Sequence, residues 1–147
     1  MKIPTKIRYG LRFLLDVAEH GDQGVVTLRE ASLRQGISQK YLWQVVAPLK
    51  SAGLITSERG KDGGFRLARE PGDVTIRDLY TAIEGDCALV GCLSRPETCP
   101  RHEHCEVRDV WDEISQGLGN LMQGFSLEHL LERERQRRTT QGSDYNI

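Results

Sequence analysis

The sequence predicts a mainly α-helical chain with one two-stranded hairpin, and three observations predict it. Apolar residues recur at helical spacing near both ends of the chain, over 7–18 and again over 107–125. Between these runs, helix-start signals at Thr27 and Ser38 flank Gly36. Directly afterwards, LITSER (54–59) and GFRLAR (64–69) alternate like short strands and are joined through the glycine-rich GKDGG (60–64).

The elements follow in order. In IRYGLRFLLDVAEH (7–20), Ile7, Leu11, Leu14, Leu15 and Ala18 make one helical stripe that Gly21 ends. Thr27 and Glu30 fit a capping box, in which each side chain satisfies the other's free backbone donor, so a short helix is expected over 27–35, stopping at Gly36. Ser38 caps a third helix that closes at Gly53. Its inward stripe is Leu42, Val45, Val46 and Leu49; Gln39, Lys40, Trp43, Gln44 and Ala47 share the opposite face. Pro48 removes one helical hydrogen bond, so a kink or tightened turn is expected there. Helix, glycine turn, helix and hairpin together read as a winged helix-turn-helix, the hairpin being the wing. A further helix, capped by Thr75 and Asp78, runs to about Glu84 and completes a domain over 1–84.

Residues 85–105 are expected to form an irregular loop carrying every cysteine of the chain. From Glu106 the helical period returns, with Val107, Val110, Trp111, Ile114, Leu118, Leu121, Met122 and Phe125 in one stripe. So wide a stripe has to be buried, and a partner copy of the same helix is the expected cover, making 106–132 a dimerisation helix plus a short terminal helix restarting at Ser126. Residues 133–147, ending in RQRRTTQGSDYNI, lack apolar anchors and are expected to be a disordered tail.

Composition bounds the function. The 147 residues are 38% apolar and 28% charged, which fits one domain with a helical extension. No run approaches the roughly eighteen apolar residues of a membrane span. The N-terminus is basic and then apolar, but Arg8, Arg12 and Asp16 interrupt any signal-peptide core, so a cytoplasmic, membrane-free protein is expected. The net charge of −1 hides an asymmetry: residues 1–70 carry 12 Lys and Arg against 7 Asp and Glu, whereas 71–147 carry 8 against 14. Nucleic acid contact through the first half is the natural reading.

A winged helix-turn-helix docks its second helix in the major groove. Ser38, Gln39, Lys40, Tyr41, Trp43 and Gln44 are therefore the candidate contacts to a double-stranded operator, Gln44 being suited to adenine and Lys40 to phosphate or guanine. Arg59, Gly60 and Lys61 at the wing tip are placed for the minor groove or the backbone. Trp43 either packs on sugar and thymine methyl groups or folds back over its own domain. A winged domain used for protein contact is the alternative.

The cysteines, Cys87, Cys92, Cys99 and Cys105, are spaced C-x4-C-x6-C-x5-C. Disulfides belong to oxidising compartments, and structural zinc prefers tighter C-x2-4-C pairs. Catalytic thiols need a base and an oxyanion site; no such motif is visible, so neither an enzyme nor a small-molecule substrate is expected. Iron–sulfur ligation tolerates irregular gaps, because each iron of a cluster is ligated separately. His102 and His104 are local alternative ligands, while His20 and His129 sit at helix ends.

KIRYGLRFLLDVA, ISQKYLWQV, GLITSERGKDGGFRLAR, the trio Cys92, Cys99 and Cys105, and the long helix ending in SLEHLL resemble the IscR/NsrR-type (Rrf-two) bacterial regulators, from Met1 to about Leu131. The resemblance implies a winged-helix homodimer crossed through the long helix, sensing iron–sulfur status, nitric oxide or redox change. It implies a 2Fe-2S or 4Fe-4S cluster on Cys92, Cys99 and Cys105, with Cys87 as the natural fourth ligand or simply a free thiol. Two positions depart from the family: Arg108 stands where the best-known 2Fe-2S member has a histidine ligand, and Arg8 where the nitric-oxide sensor has an aspartate. The fourth ligand therefore stays open. Alternatives are a zinc-containing or cluster-free thiol-redox regulator of the same fold, and an iron–sulfur carrier or interaction module without operator binding.

Overall fold

The computed structural model describes residues 2–143. Helix α1 (Thr5–His20) starts two residues ahead of Ile7, because the Pro4 carbonyl accepts from Ile7 N at 3.1 Å and Arg8 N at 3.2 Å. Before α2 (Leu28–Gln35) the capping box closes both ways: Glu30 N donates to Thr27 Oγ1 at 3.2 Å and Thr27 N to Glu30 Oε2 at 2.9 Å. Gly36 then takes φ 62°, a left-handed conformation that turns the chain into α3 at little steric cost. Helix α3 (Gln39–Ser51) is capped by the Ser38 hydroxyl, which accepts from Tyr41 N at 3.2 Å. It runs on through Pro48, whose carbonyl accepts from Ala52 N at 3.0 Å. The proline still removes one i→i−4 bond, three residues ahead of the last helical residue Ser51.

Strands β1 (Ile55–Glu58) and β2 (Gly64–Leu67) pair antiparallel, Ile55 opposite Leu67 and Glu58 opposite Gly64. Val26 extends the wing by one bridge, exchanging bonds of 2.9 and 2.8 Å with Phe65. Helix α4 (Ile76–Glu84) opens on a second capping box, Thr75 with Asp78. Leu42, Val45, Val46 and Leu49 are buried as their spacing predicts, and join Phe13, Leu14, Val17, Leu54 and Leu79 in the core. Phe13 meets Phe65 edge-on at 5.9 Å, so the wing is anchored to α1.

Three corrections concern the second half. The cysteine segment is not wholly irregular: it contains α5 (Gly91–Ser94) and 3-10 turns at Pro96–Thr98 and His102–His104. The helix α6 (Glu106–Gln123) buries Ser115, Gly119 and, of its apolar stripe, Met122, and leaves Val107, Val110, Trp111, Ile114 and Leu121 exposed. Helix α7 runs from Leu127 to Ser143, so the tail expected to be disordered from 133 is helical to 143, and 144–147 lie outside the described residues. Leu127 and Leu131 are buried at its start, and beyond them Arg138 ion-pairs with Glu134 and with Glu19 of α1, each at 2.7 Å.

The turn between α6 and α7 is stitched to the start of α4. Ile76 N donates to the Phe125 carbonyl and Leu127 N to the Val74 carbonyl, both at 2.9 Å, and Leu127 enters the main core. The long helix is therefore fixed to the winged domain at its C-terminal end.

Candidate nucleic-acid interface and cysteine segment

Two surfaces carry the candidate functional residues. On the first, Ser38, Gln39, Lys40, Trp43, Gln44 and Ala47 are all exposed, on the face of α3 opposite the buried stripe. Trp43 remains 62% exposed and, with Arg29, Lys50, Arg59 and Phe65, lines a cleft between α3 and the wing. Tyr41 differs from its neighbours: it is half-buried and packs edge-on against Tyr9 at 5.2 Å. Arg59, Gly60 and Lys61 stand exposed at the wing tip.

The RGxxGG pattern has a steric basis. Gly60 takes φ 117°, and a Cβ on Gly64 would lie 2.7 Å from the Val26 carbonyl oxygen. A Cβ on Gly63 would collide with the Glu58 carbonyl. The glycines let the hairpin turn sharply and lie against the segment before α2, which holds the wing tip beside α3.

On the second surface, Cys87, Cys92, Cys99 and Cys105 are all unpaired and half-buried. Asp86 accepts from Ala88 N at 3.1 Å and from Ser94 Oγ at 2.5 Å, closing a small loop that contains both Cys87 and Cys92. The Cys99 carbonyl lies 2.9 Å from His102 Nδ1. The segment is tied to α6 where Leu89 N donates to Ser115 Oγ at 3.1 Å and that hydroxyl donates to the Trp111 carbonyl at 2.7 Å. Among the described residues, no three His, Cys, Asp or Glu side chains converge closely enough to hold a metal ion.

On the outer face of α6, Val107, Val110, Trp111, Ile114 and Leu121 are exposed, between 39% and 63%. Leu118 is half-buried, and Met122, at 8%, faces into its own protomer. Phe125 stacks on His129 at 5.7 Å, with Arg133 over its ring. Sequence reasoning missed Ser115 and Asp86; a lone hydroxyl inside an apolar stripe was the available signal for the first.

Residues 3–133 match the family described as "Iron-dependent Transcriptional regulator", Rrf2. The chain belongs to that family. This Rrf2 regulator is 38% identical to Protein rrf2 of Nitratidesulfovibrio vulgaris over 131 residues, 89% of this chain and 87% of the relative. It is 34% identical to the HTH-type transcriptional regulator IscR of Aliivibrio salmonicida, over 89% of this chain and 77% of the relative. Among solved structures it is similar to CymR (YrzC), the global cysteine regulator of B. subtilis, at a TM-score of 0.73 and 31% identity, covering 90% and 98% of the two chains. The family description and the IscR name are both those of transcriptional regulators. No helix among the described residues of this Rrf2 regulator is long and apolar enough to cross a membrane.

The donor chemistry of the segment fits a thiolate-held iron–sulfur group: four unpaired thiols lie within nineteen positions. One further feature fits an anionic group there. Among the described residues, the Arg108 Nε, in the first turn of α6, is the buried side-chain nitrogen without a hydrogen-bond partner.

Proposed function

We propose that this chain is a cytoplasmic, homodimeric, DNA-binding transcription regulator whose operator affinity is set by an iron–sulfur cluster, sensing redox, nitric oxide or iron status. The observation that carries this reading is the Leu89–Ser115 bond. It ties the thiol-bearing segment to one face of α6 while the opposite face carries the exposed apolar stripe.

Cys92, Cys99 and Cys105 are the proposed ligands of a 2Fe-2S or 4Fe-4S cluster, with Cys87 as a fourth. When bound, the cluster supplies a redox-labile crosslink between these thiols. Cys105 immediately precedes Glu106, so tension in the segment is felt at the first turn of α6. The far end of α6 is stitched to Val74–Ile76, and that turn passes any shift of the helix to the winged domain. Gln39, Lys40, Trp43 and Gln44 read the major groove, while Arg59 and Lys61 hold the backbone beside it. Val107, Val110, Trp111, Ile114 and Leu121 cover the same residues of a second copy.

Anaerobic purification with iron and acid-labile sulfide analysis tests the reading, followed by gel shifts on duplex DNA before and after cluster removal. A coloured protein whose DNA affinity changes on bleaching is expected; a colourless one with stoichiometric zinc sinks it. A second reading, reversible thiol oxidation without a cluster, is favoured by the lack of convergence among the cysteines and by the likeness to a global cysteine regulator. It predicts a colourless, metal-free protein whose DNA affinity responds to peroxide and is restored by dithiothreitol.

A further inference from the structure

Arg108 lies on the face of α6 that is turned inward. Counting from it in helical steps, Asp112 is half-buried and Ser115, Gly119 and Met122 are buried, so all five share one side of the helix. That is the side to which the cysteine segment is tied, since Ser115 Oγ holds Leu89, between Cys87 and Cys92. Arg108 is two turns closer to Cys105 on the same side, and its own N–H bonds the Cys105 carbonyl at 3.0 Å.

The guanidinium there is incompletely satisfied. Its Nε is buried and has no partner, and the carboxylate one turn on, Asp112, accepts instead from Gln116 Nε2 at 2.9 Å. Burying an N–H of a cation without an acceptor is costly, because the lost hydration is not replaced, so an acceptor is expected to occupy that position when the site is complete. The segment's carboxylates, Asp86, Glu97 and Glu103, are all exposed, and Asp86 is already engaged by Ala88 N and Ser94 Oγ, whereas the four thiols are half-buried. The charged acceptors that suit a buried Nε are therefore sulfur: thiolates, or the sulfides of a group they hold.

We infer that Arg108 is a positioning residue for the cluster, donating its Nε–H to a thiolate or sulfide and offsetting the negative charge of the thiolate-ligated group. This rests on the cluster reading above. Hydrogen bonds to sulfur and net local charge are among the factors that set a cluster's potential, and both act here in one direction: they favour the reduced, more negative form. Arg108 therefore raises the reduction potential and slows loss of iron.

The test uses the full-length protein and the variants Arg108→Leu and Arg108→Lys, reconstituted anaerobically with iron and sulfide. Three quantities are measured: reduction potential, the rate of iron capture by a chelator, and solution mass. Arg108→Leu is expected to lose iron about tenfold faster, at a lower potential and unchanged mass, a factor in keeping with one charge-assisted hydrogen bond. Arg108→Lys keeps the charge but not the Nε donor, and should recover part of the potential. Wild-type protein that loads a cluster, with Arg108→Leu matching it in potential and iron loss, overturns the inference while leaving the cluster reading intact. A variant that falls to monomers with an unaltered cluster also overturns it, by placing the acceptor on the partner copy. Wild-type protein that takes up neither iron nor sulfide overturns both.

Discussion

Asp16 and Arg34 form a bidentate ion pair, with Arg34 Nε on Asp16 Oδ1 at 2.9 Å and Nη2 on Oδ2 at 2.8 Å. Asp16 is only 1% exposed, and Gln35 Nε2 adds a third bond to it at 3.0 Å. Arg12 reaches the Gln35 carbonyl from the same helix as Asp16. The pair thus clamps α1 against the end of α2, one residue before the turn that aims α3.

Burial pushes the Asp16 carboxyl upward, but hydrogen bonds from Arg34 and Gln35 and the charge of Arg34 outweigh it and hold the group below its ordinary value. A carboxyl depressed by folding contributes stability above its unfolded value, and that stability is lost as pH falls through the folded one. Wild type should therefore lose melting temperature as pH drops below about 4, whereas Asp16→Asn should lack that component. Asp16→Ala should cost about 1–3 kcal/mol at neutral pH, because Arg34 can turn partly to solvent but Gln35 loses its acceptor. Thermal melts from pH 3 to 7 check both; parallel curves for wild type and Asp16→Asn would refute the linkage.

The wing gives a prediction of different kind. Gly64→Ala sets a methyl 2.7 Å from the Val26 carbonyl, so the Val26–Phe65 bridge has to open and the wing tip swings from α3. Duplex DNA affinity should fall with a loss of about 1–3 kcal/mol in stability. Arg59→Ala leaves the fold alone, and should instead weaken binding and flatten its salt dependence by about one unit of log–log slope. Equal salt slopes for wild type and Arg59→Ala would remove Arg59 from the phosphate contacts.

Removing the Ser115 hydroxyl separates the cysteine segment from α6. Ser115→Ala leaves Leu89 N without its acceptor, at about 1 kcal/mol. Hydrogen exchange of amides 86–94 should accelerate while α1, α3 and α4 stay protected. Uniform exchange throughout would mean that the segment is held elsewhere.

Local signals at fixed offsets were legible in the sequence. Both capping boxes and the buried stripe of α3 stand where residue type and spacing put them, since each depends on neighbours three or four positions away. The inward face of α6 was not, because its buried positions include Ser115 and Gly119, small residues that hydrophobic patterning passes over. Gly119 sits opposite the Arg77 guanidinium, where a Cβ would be 3.5 Å away, so closeness rather than apolarity selects that face. The extent of α7 was hidden for a similar reason: Arg138 is held by Glu19, 119 positions away, and no local pattern reports such a pair. The thiols themselves were conspicuous, but not their tether to Ser115.

The exposed side of α6 leads to the last prediction. Val107, Val110, Trp111, Ile114 and Leu121 leave large apolar side chains in water along four turns of helix, and burying each is worth about 1.5–3 kcal/mol. A second copy covering them would put Ile114, mid-stripe, deepest in the interface. Ile114→Glu and Leu121→Glu should each convert a dimer to a monomer in sedimentation experiments at micromolar concentration. Because both side chains are exposed in the single protomer, at 46% and 62%, the melting of the monomer itself should change little. Met122→Glu should behave differently: at 8% exposed it faces its own protomer, so a charge there should disrupt the packing of α6 within the protomer rather than merely dissociate the dimer. Wild type sedimenting as a monomer at all concentrations would exclude this face as the self-association surface.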